Sequence, residues 1–576
     1  MSKQQSAFIL RLYYIRKCVF ILVLKIILLF LKSAMCYIYS MKKLIFVIII
    51  STLFYSCAST KIKKTNPTGL AVQTPAQIIS VTGGQIRGIM NQDNTVEIYA
   101  GIPFAAPPIG DLRWKEPQPV IPWDGILEAD HFAPMAMQTE SGRIYNSLMN
   151  MYTHSKSDRT YKGPMSEDCL YLNVWKPADA SNPTSSITSS PLPVLVYVHG
   201  GTLLTGQSWY QKYDGENLAR NGIIVVTIAY RVGVFGYFAD EQLAAESPNH
   251  TTGNYGLLDQ IKALEWVHNN IAAFGGDPNN VTIAGESAGS SSVNALCASP
   301  LTKGFFRRAI AESSSVIQPT PPHTFRTMKD ALKMGEDIKK EFKTADITEL
   351  RKIPAEKLIK TKFKNSSMTV DGYALPQTPY EIYTAGLNHE EALMHGFNAR
   401  EGFGFTFFTK VTKKNLASLL ESTFKERTQE FITAHQPKTN KQAKQLYSDV
   451  FSAVCFTYPH DCWTKMIESQ GKPVYEYYFT RENGEIGTNH SGEMIYAYRN
   501  VPCTKNYTTR DYELEEIMSS CWLNFVKTGN PNGSDTKGTP LPQWQTTQES
   551  NGLLLEFGDT CSMIEDPYRY IYEYLE

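Results

Sequence analysis

Residues 281–297 read VTIAGESAGSSSVNALC, an apolar run followed by a tight glycine-flanked turn and then a series of small residues. Val281–Ala284 is typical of a buried strand, and Ala288–Cys297 is compatible with a helix. Between them lies the pattern Gly-Glu-Ser-Ala-Gly, centred on Ser287. A serine at such a strand–turn–helix junction is held in a strained turn with its oxygen exposed for attack. The pattern therefore predicts that Ser287 is a nucleophile.

The segments around this stretch alternate between strand and helix patterns. Val194–Val198 and Ile223–Ala229 are continuous apolar runs, as expected for strands buried on both faces. Leu257–Phe274 carries apolar residues at helical spacing. Alternation of this kind predicts an α/β fold, a mostly parallel sheet with helices on both faces.

A glycine-containing loop directly follows one of these strands. His199-Gly200-Gly201-Thr202 comes immediately after Val198. Acyl transfer needs N–H donors for the oxyanion, and such donors come from a loop of this kind and from the residue after the nucleophile. We expect the N–H groups of Gly201, Thr202 and Ala288 to donate to the oxyanion. Gly200 is expected to support this loop. A β-branched residue tolerates positive φ poorly, so either Thr202 keeps a negative φ or the oxyanion hole is weaker than usual.

Composition excludes several other functions. The chain has 56 Lys plus Arg and 56 Asp plus Glu, so its formal net charge is zero. Without a basic face or stripe, no nucleic-acid partner is indicated. The ten cysteines form no CxxC pair and have no metal-ligand spacing, so neither a zinc site nor a redox motif is predicted.

The N-terminus has the features of a targeting region. After Met41 come two lysines, an apolar stretch from Leu44 to Tyr55, and Ser56-Cys57. A small residue before a cysteine at this place resembles the processing site of bacterial lipoproteins, which implies lipidation of Cys57. An uncleaved signal anchor and an ordinary secretory signal are the alternatives.

These features predict four segments. Residues 1–40 are expected to be an upstream extension, 41–57 a signal peptide, 58–77 a flexible tether, and 78–576 the catalytic domain. The protein is then exported to the cell envelope, at the periplasm or the outer surface, with peripheral membrane attachment, or is otherwise secreted. Nothing in the sequence indicates an oligomeric state.

The chain from residue 78 onward resembles the type-B carboxylesterase family, which includes cholinesterases. The resemblance rests on ordered motifs: GIPFAAPP from Gly101, LRW from Leu112, EDCLYLNV from Glu167, YRVG from Tyr230, NYGLLDQ from Asn254 and TGNP from Thr528. It implies the α/β-hydrolase fold. Ala136 stands where many members have a cysteine that pairs with the one corresponding to Cys169, so this bridge is expected to be absent.

In this fold the nucleophile, the acid and the base are expected to follow one another in that order along the chain. His435, His460 and His490 all remain candidate bases by this rule. The family pattern Gly-x-Asn-x-x-Glu-Gly, met from Gly396 to Gly402, implies that Glu401 is the acid. The pattern His-x-x-Glu implies that His490 is the base. Ser313 resembles a family serine that hydrogen-bonds within the triad, and Glu286 is shared with most members.

These residues predict a serine carboxylic ester hydrolase that acts on a small-molecule ester through an acyl-enzyme. The mechanism needs no cofactor and no metal. Two alternatives keep the same fold: an acyltransferase with the same mechanism, and a catalytically inactive cholinesterase-like binding protein.

Overall fold

A computed structural model describes residues 74–139, 163–178, 190–318, 325–363, 367–484 and 487–576. They belong to a compact unit that spans residues 66–576. The predicted upstream extension, the signal peptide and Cys57 lie outside the described residues. The first described strand begins at Pro75, so three residues assigned to the tether are part of the sheet.

Thirteen strands form one sheet in the described part of the chain. They are β1 (Pro75–Val81), β2 (Gly84–Met90), β3 (Val96–Pro103), β4 (Ile126–Glu128), β5 (Tyr171–Pro177), β6 (Leu192–Val198), β7 (Ile224–Ile228), β8 (Gly276–Glu286), β9 (Arg308–Glu312), β10 (Ala392–Asn398), β11 (Val474–Phe479), β12 (Leu554–Phe557) and β13 (Cys561–Ile564). Their order is β1-β2-β3-β5-β7-β6-β8-β9-β10-β11-β12-β13, with β4 beside β2. The strands from β7 to β12 in this order are parallel. Antiparallel pairs occur at both edges.

Two short strand pairs lie outside this sheet: Met135–Ala136 with Met165–Ser166, and Phe325–Thr327 with Met368–Val370. The longer helices are α1 (Tyr255–Asn270), α2 (Ala288–Ala298), α3 (Met328–Glu341), α4 (Leu416–Phe424), α5 (Thr428–His435), α6 (Asn440–Ser452), α7 (Tyr458–Ser469) and α8 (Thr509–Thr528). Shorter helices are Glu216–Ala219, Gly233–Tyr237, Glu241–Glu246, Ile347–Arg351, Ala355–Leu358, Pro379–Thr384, Phe403–Thr406, Met494–Ala497, Thr547–Ser550 and Arg569–Tyr572. Among the described residues, no helix combines the length and the apolar character needed to cross a membrane.

The core lies on both faces of the sheet because successive side chains of a strand point to opposite sides. In β6, Val194, Val196 and Val198 join an apolar cluster that includes residues of α1 and α2. Leu195 and Tyr197, between them, join a second cluster with residues of α8. The predicted α/β architecture is therefore confirmed. The seven cysteines of the described residues are free thiols, Cys169 among them, which agrees with the missing partner at Ala136.

Candidate active site

Ser287 forms the turn between β8 and α2. Its φ of 59° and ψ of −126° lie outside the regions that serine prefers, at a cost on the order of 1–3 kcal/mol. The Ser287 N–H donates to the carbonyl of Glu312, 2.8 Å away, which ties the turn to β9. A Cβ on Gly289 would lie 2.1 Å from the carbonyl oxygen of Val198. The glycine is therefore required by the close approach of α2 to the end of β6.

The loop after β6 has three consecutive residues with positive φ. The φ values of Gly201, Thr202 and Leu203 are 113°, 57° and 55°. Of the two alternatives stated for Thr202, a negative φ is therefore not the one that this loop adopts. The carbonyl of Gly201 explains why, since it accepts the Thr202 hydroxyl at 2.7 Å and the N–H groups of Leu204 and Thr205 at 3.1 and 3.0 Å. These bonds hold a tight turn that overrides the preference of a β-branched residue.

A glutamine fixes the far end of this loop. The side-chain amide of Gln138 accepts the N–H of Gly206 at 2.9 Å and donates to the Gly206 carbonyl at 2.8 Å. Within the described residues, the N–H groups of Gly201 and Ala288 donate no hydrogen bond. These two N–H groups therefore have no partner within the described residues, and Ala288 is fully buried.

Glu401 follows β10 and is fully buried. Its carboxylate accepts the Ser313 hydroxyl at 2.6 Å, the backbone N–H of Asn398 at 2.8 Å and Nδ1 of His490 at 2.5 Å. Three donors from three separate segments satisfy the carboxylate and fix its orientation. The structure thus brings Glu401, His490 and Ser313 together.

Of the three candidate histidines, His490 is the one that contacts Glu401 among the described residues. The Nδ1 atom of His460 lies 2.5 Å from Nδ1 of His395, in a buried pair. His435 packs against Phe431 and Tyr570. Chain order alone leaves these three candidates open, and they differ in the structure by this contact with Glu401.

The second ring nitrogen of His490 faces Glu286. Its Nε2 lies 3.2 Å from Oε1 of Glu286. Among the described residues it makes no hydrogen bond with the Ser287 hydroxyl. The Nδ1–H donates to Glu401, so the two ring nitrogens of His490 face different carboxylates.

Several buried carboxyl groups set the electrostatics of the site. Burial lowers the pKa of His490, but the Glu286 and Glu401 carboxylates raise it to about 9 overall. Burial, together with repulsion from Glu286 and Glu401, raises the pKa of Glu493 to about 8. Burial also raises the pKa of Glu312 well above its usual range, although Tyr498 and Trp522 donate hydrogen bonds to it.

An aromatic wall, defined here as Phe405, Phe451 and Phe456, lies beside His490. The ring centroids of Phe456 and Phe405 are 4.9 and 5.4 Å from that of the imidazole. Phe451 packs against both other rings. Phe405 is 38% exposed, so the wall is open to solvent. It offers an apolar surface beside the imidazole of His490.

The sequence profile of the Carboxylesterase family matches residues 75–571. The chain belongs to the carboxylesterase family. It is accordingly an enzyme of the carboxylic ester hydrolase class, with the α/β-hydrolase fold.

Relatives of this carboxylesterase are esterases from bacteria and mammals. It is 31% identical over 508 residues to a fumonisin B1 esterase of Sphingopyxis macrogoltabida, covering 85% of this chain and 88% of the other. It is 32% identical over 514 residues to carboxylesterase 1C of Rattus norvegicus, covering 83% and 89%. The solved structure of a carboxylesterase from Geobacillus stearothermophilus superimposes with a TM-score of 0.72 at 29% identity, covering 87% of this chain and all of that chain.

Two features of this carboxylesterase site were not predicted from its sequence. The aromatic wall depends on a π-helix, Ala453–Thr457, which carries Phe456 and is inserted between α6 and α7. Such insertions frequently occur at functional sites, but they shift the helical period and leave no periodic signal. The contact between His490 and Glu286 joins residues far apart in sequence, and no motif indicated it.

Proposed function

We propose that this carboxylesterase hydrolyses its ester in two steps through an acyl-enzyme on Ser287. In the first step the Ser287 oxygen attacks the ester carbonyl while Nε2 of His490 takes the hydroxyl proton. The tetrahedral intermediate collapses, the bond to the alcohol oxygen breaks, and His490 gives its proton to the departing alcohol. Water then attacks the acyl-enzyme by the same route and releases the carboxylic acid.

The observation that carries this proposal is the hydrogen bond of 2.5 Å between Glu401 and Nδ1 of His490. A buried carboxylate in this position fixes the imidazole tautomer and stabilises the imidazolium that forms during attack. Contacts between base and nucleophile are often long in the unliganded protein and tighten when the substrate binds. We therefore place the hydrogen bond between His490 and Ser287 in the ester complex.

The N–H groups of Gly201, Thr202 and Ala288 are proposed to bind the oxyanion. The positive φ values at Gly201 and Thr202 turn the loop sharply at this point, and the N–H of Ala288 lies at the start of α2. Removal of one such donor typically costs about 10²- to 10³-fold in rate. The positive φ of the β-branched Thr202 adds backbone strain to this loop without removing its donor.

The aromatic wall supports an ester with an apolar group next to the reacting carbonyl. Burial of such a group against aromatic rings stabilises a complex by roughly 25 cal/mol per Å² of apolar surface removed from water. The ligand is therefore proposed to be a small-molecule ester with an apolar acyl or alcohol part.

An acyl-enzyme mechanism predicts selective labelling by a fluorophosphonate. The protein should gain the mass of one phosphonyl group, and the modified peptide should contain Ser287, because only an activated hydroxyl displaces fluoride rapidly. Protein denatured before exposure is the control and should stay unlabelled. A folded protein that remains unmodified, or carries the label on another residue, would contradict the proposal.

The targeting region supports a location in the cell envelope. Lys42, Lys43 and the apolar residues up to Tyr55 precede Ser56-Cys57, as in a lipoprotein signal. Lipidation of Cys57 would then attach the enzyme to a membrane surface. The enzyme should therefore incorporate labelled palmitate during growth and Cys57→Ala should not, measured on the purified proteins. A Cys57→Ala enzyme that still carries the label would refute lipid attachment at this residue.

A further inference from the structure

Ser491, next to His490, has a backbone conformation that favours glycine. Asn489–Gly492 forms a turn closed by a hydrogen bond of 2.8 Å from the Gly492 N–H to the Asn489 carbonyl. Ser491 occupies its third position with a φ of 69°. Positive φ at this position is usually met by glycine or asparagine. A serine there costs stability, and such strain commonly marks a functional position.

The Ser491 side chain reaches the carboxylate that faces the imidazole. Its hydroxyl donates to Oε1 of Glu286 at 2.5 Å. The same oxygen lies 3.2 Å from Nε2 of His490, and the Glu286 side chain is 4% exposed. One buried carboxylate oxygen is therefore shared between a serine hydroxyl and the base.

We infer that Ser491 is a positioning residue that keeps His490 available to the nucleophile by holding Glu286. The inference rests on the proposed role of His490 as the base for Ser287. The hydroxyl anchors the Glu286 carboxylate and takes up part of the acceptor capacity of Oε1. The Glu286 charge then stabilises a protonated Nε2 less than it would without this hydroxyl.

The Glu286 oxygen shared by Ser491 and His490 affects the protonation of His490. An imidazolium that donates Nε2–H to a buried carboxylate is strongly stabilised, and it cannot accept the proton of Ser287. The carboxylates that face His490 are Glu286, Glu401 and Glu493, and Glu286 itself lies near Glu312. Of these groups, Glu286 is the one placed against Nε2. A second donor on Glu286 weakens its hold on the imidazolium and so favours the neutral base.

The pH dependence of kcat/KM for a soluble ester tests this role. In Ser491→Ala and Ser491→Gly the acid limb of the profile should shift to higher pH by about one unit. At a given pH on this limb, kcat/KM should therefore fall about tenfold. Glu286→Gln should move the limb down, because it removes the charge that stabilises the imidazolium. In the double variant Glu286→Gln/Ser491→Gly, the glycine should add no further shift, since the two residues act through one contact.

The two replacements at position 491 separate the hydroxyl from the backbone strain. Glycine relieves the positive φ and alanine keeps it, so Ser491→Gly should have the higher melting temperature while both share the same pH shift. A shift with alanine alone, or none with either, would overturn the inference. Ser287→Ala gives the independent control: if it stays active, the proposed mechanism fails, whereas an inactive Ser287→Ala with unmoved profiles at 491 rejects the role of Ser491 alone.

Discussion

Ser287→Ala is expected to lower kcat for a short p-nitrophenyl ester by about 10⁴- to 10⁶-fold, because loss of the nucleophile removes the acyl-enzyme route. The substitution keeps the Cβ and the backbone hydrogen bond to Glu312, so the turn should persist. The residual rate reports oxyanion binding and substrate positioning without the nucleophile. Initial rates under substrate saturation, together with a single-turnover assay for acyl-enzyme formation, measure the effect.

Ser292→Ala, on the helix that follows Ser287, is the matched control. The Ser292 hydroxyl is buried and bonds to the Ala288 carbonyl and to the side-chain amide of Gln260, at 2.9 and 3.1 Å. Its loss should lower stability by roughly 1–3 kcal/mol and leave kcat nearly unchanged. If Ser287→Ala and Ser292→Ala showed equal turnover, Ser287 would not be the nucleophile.

The sequence was sufficient to predict the central layer of the fold. The runs Val194–Val198 and Ile223–Ala229 form buried parallel strands because almost all of their side chains are apolar, with Thr227 as the polar exception. The strand–turn–helix at Ser287 was likewise predictable, since a junction this tight leaves no room for a Cβ at the glycines on either side. Local pattern and global packing agree at these positions.

The parts that escaped prediction depend on contacts between distant segments. Thr202 adopts positive φ because the carbonyl of Gly201 accepts several hydrogen bonds. The conformational preference of a single residue does not predict these bonds. The choice of His490 over His460 needed a family pattern, because both follow Glu401 in the chain. Glu286 was expected only as a shared family residue, and its contact with Nε2 depends on the fold of the segment around His490.

Parallel strands explain why so many carboxyl groups meet at one place. Glu286 ends β8 and Glu312 ends β9, and the two residues are paired directly in the sheet. Glu312 is paired in turn with Gly396 of β10, which leads to Glu401. The carboxyl ends of parallel strands lie at the same edge, where ligands of α/β proteins bind. The carboxyl groups therefore differ in charge, since burial raises the pKa of Glu312 while Glu401 pairs with His490.

Glu401→Gln is expected to lower kcat by about 10³- to 10⁴-fold, because a neutral amide neither fixes the His490 tautomer nor stabilises the imidazolium. Glu493→Gln tests whether this loss belongs to Glu401 or to any buried glutamate of the site. The raised pKa of Glu493, about 8, means that it is mainly protonated at pH 7, so glutamine resembles its native form. The Asn398 amide that donates to Glu493 keeps an acceptor in this variant.

The two glutamine variants should therefore differ sharply at pH 7, with kcat of Glu493→Gln within about threefold of the parent enzyme. Above pH 8 the parent enzyme ionises Glu493 and Glu493→Gln does not, so their profiles should separate only there. Steady-state kinetics from pH 6 to pH 9 measure both effects. Equal losses of kcat in the two variants would mean that the carboxyl groups act as one charged cluster. They would contradict a specific role of Glu401 as the partner of His490.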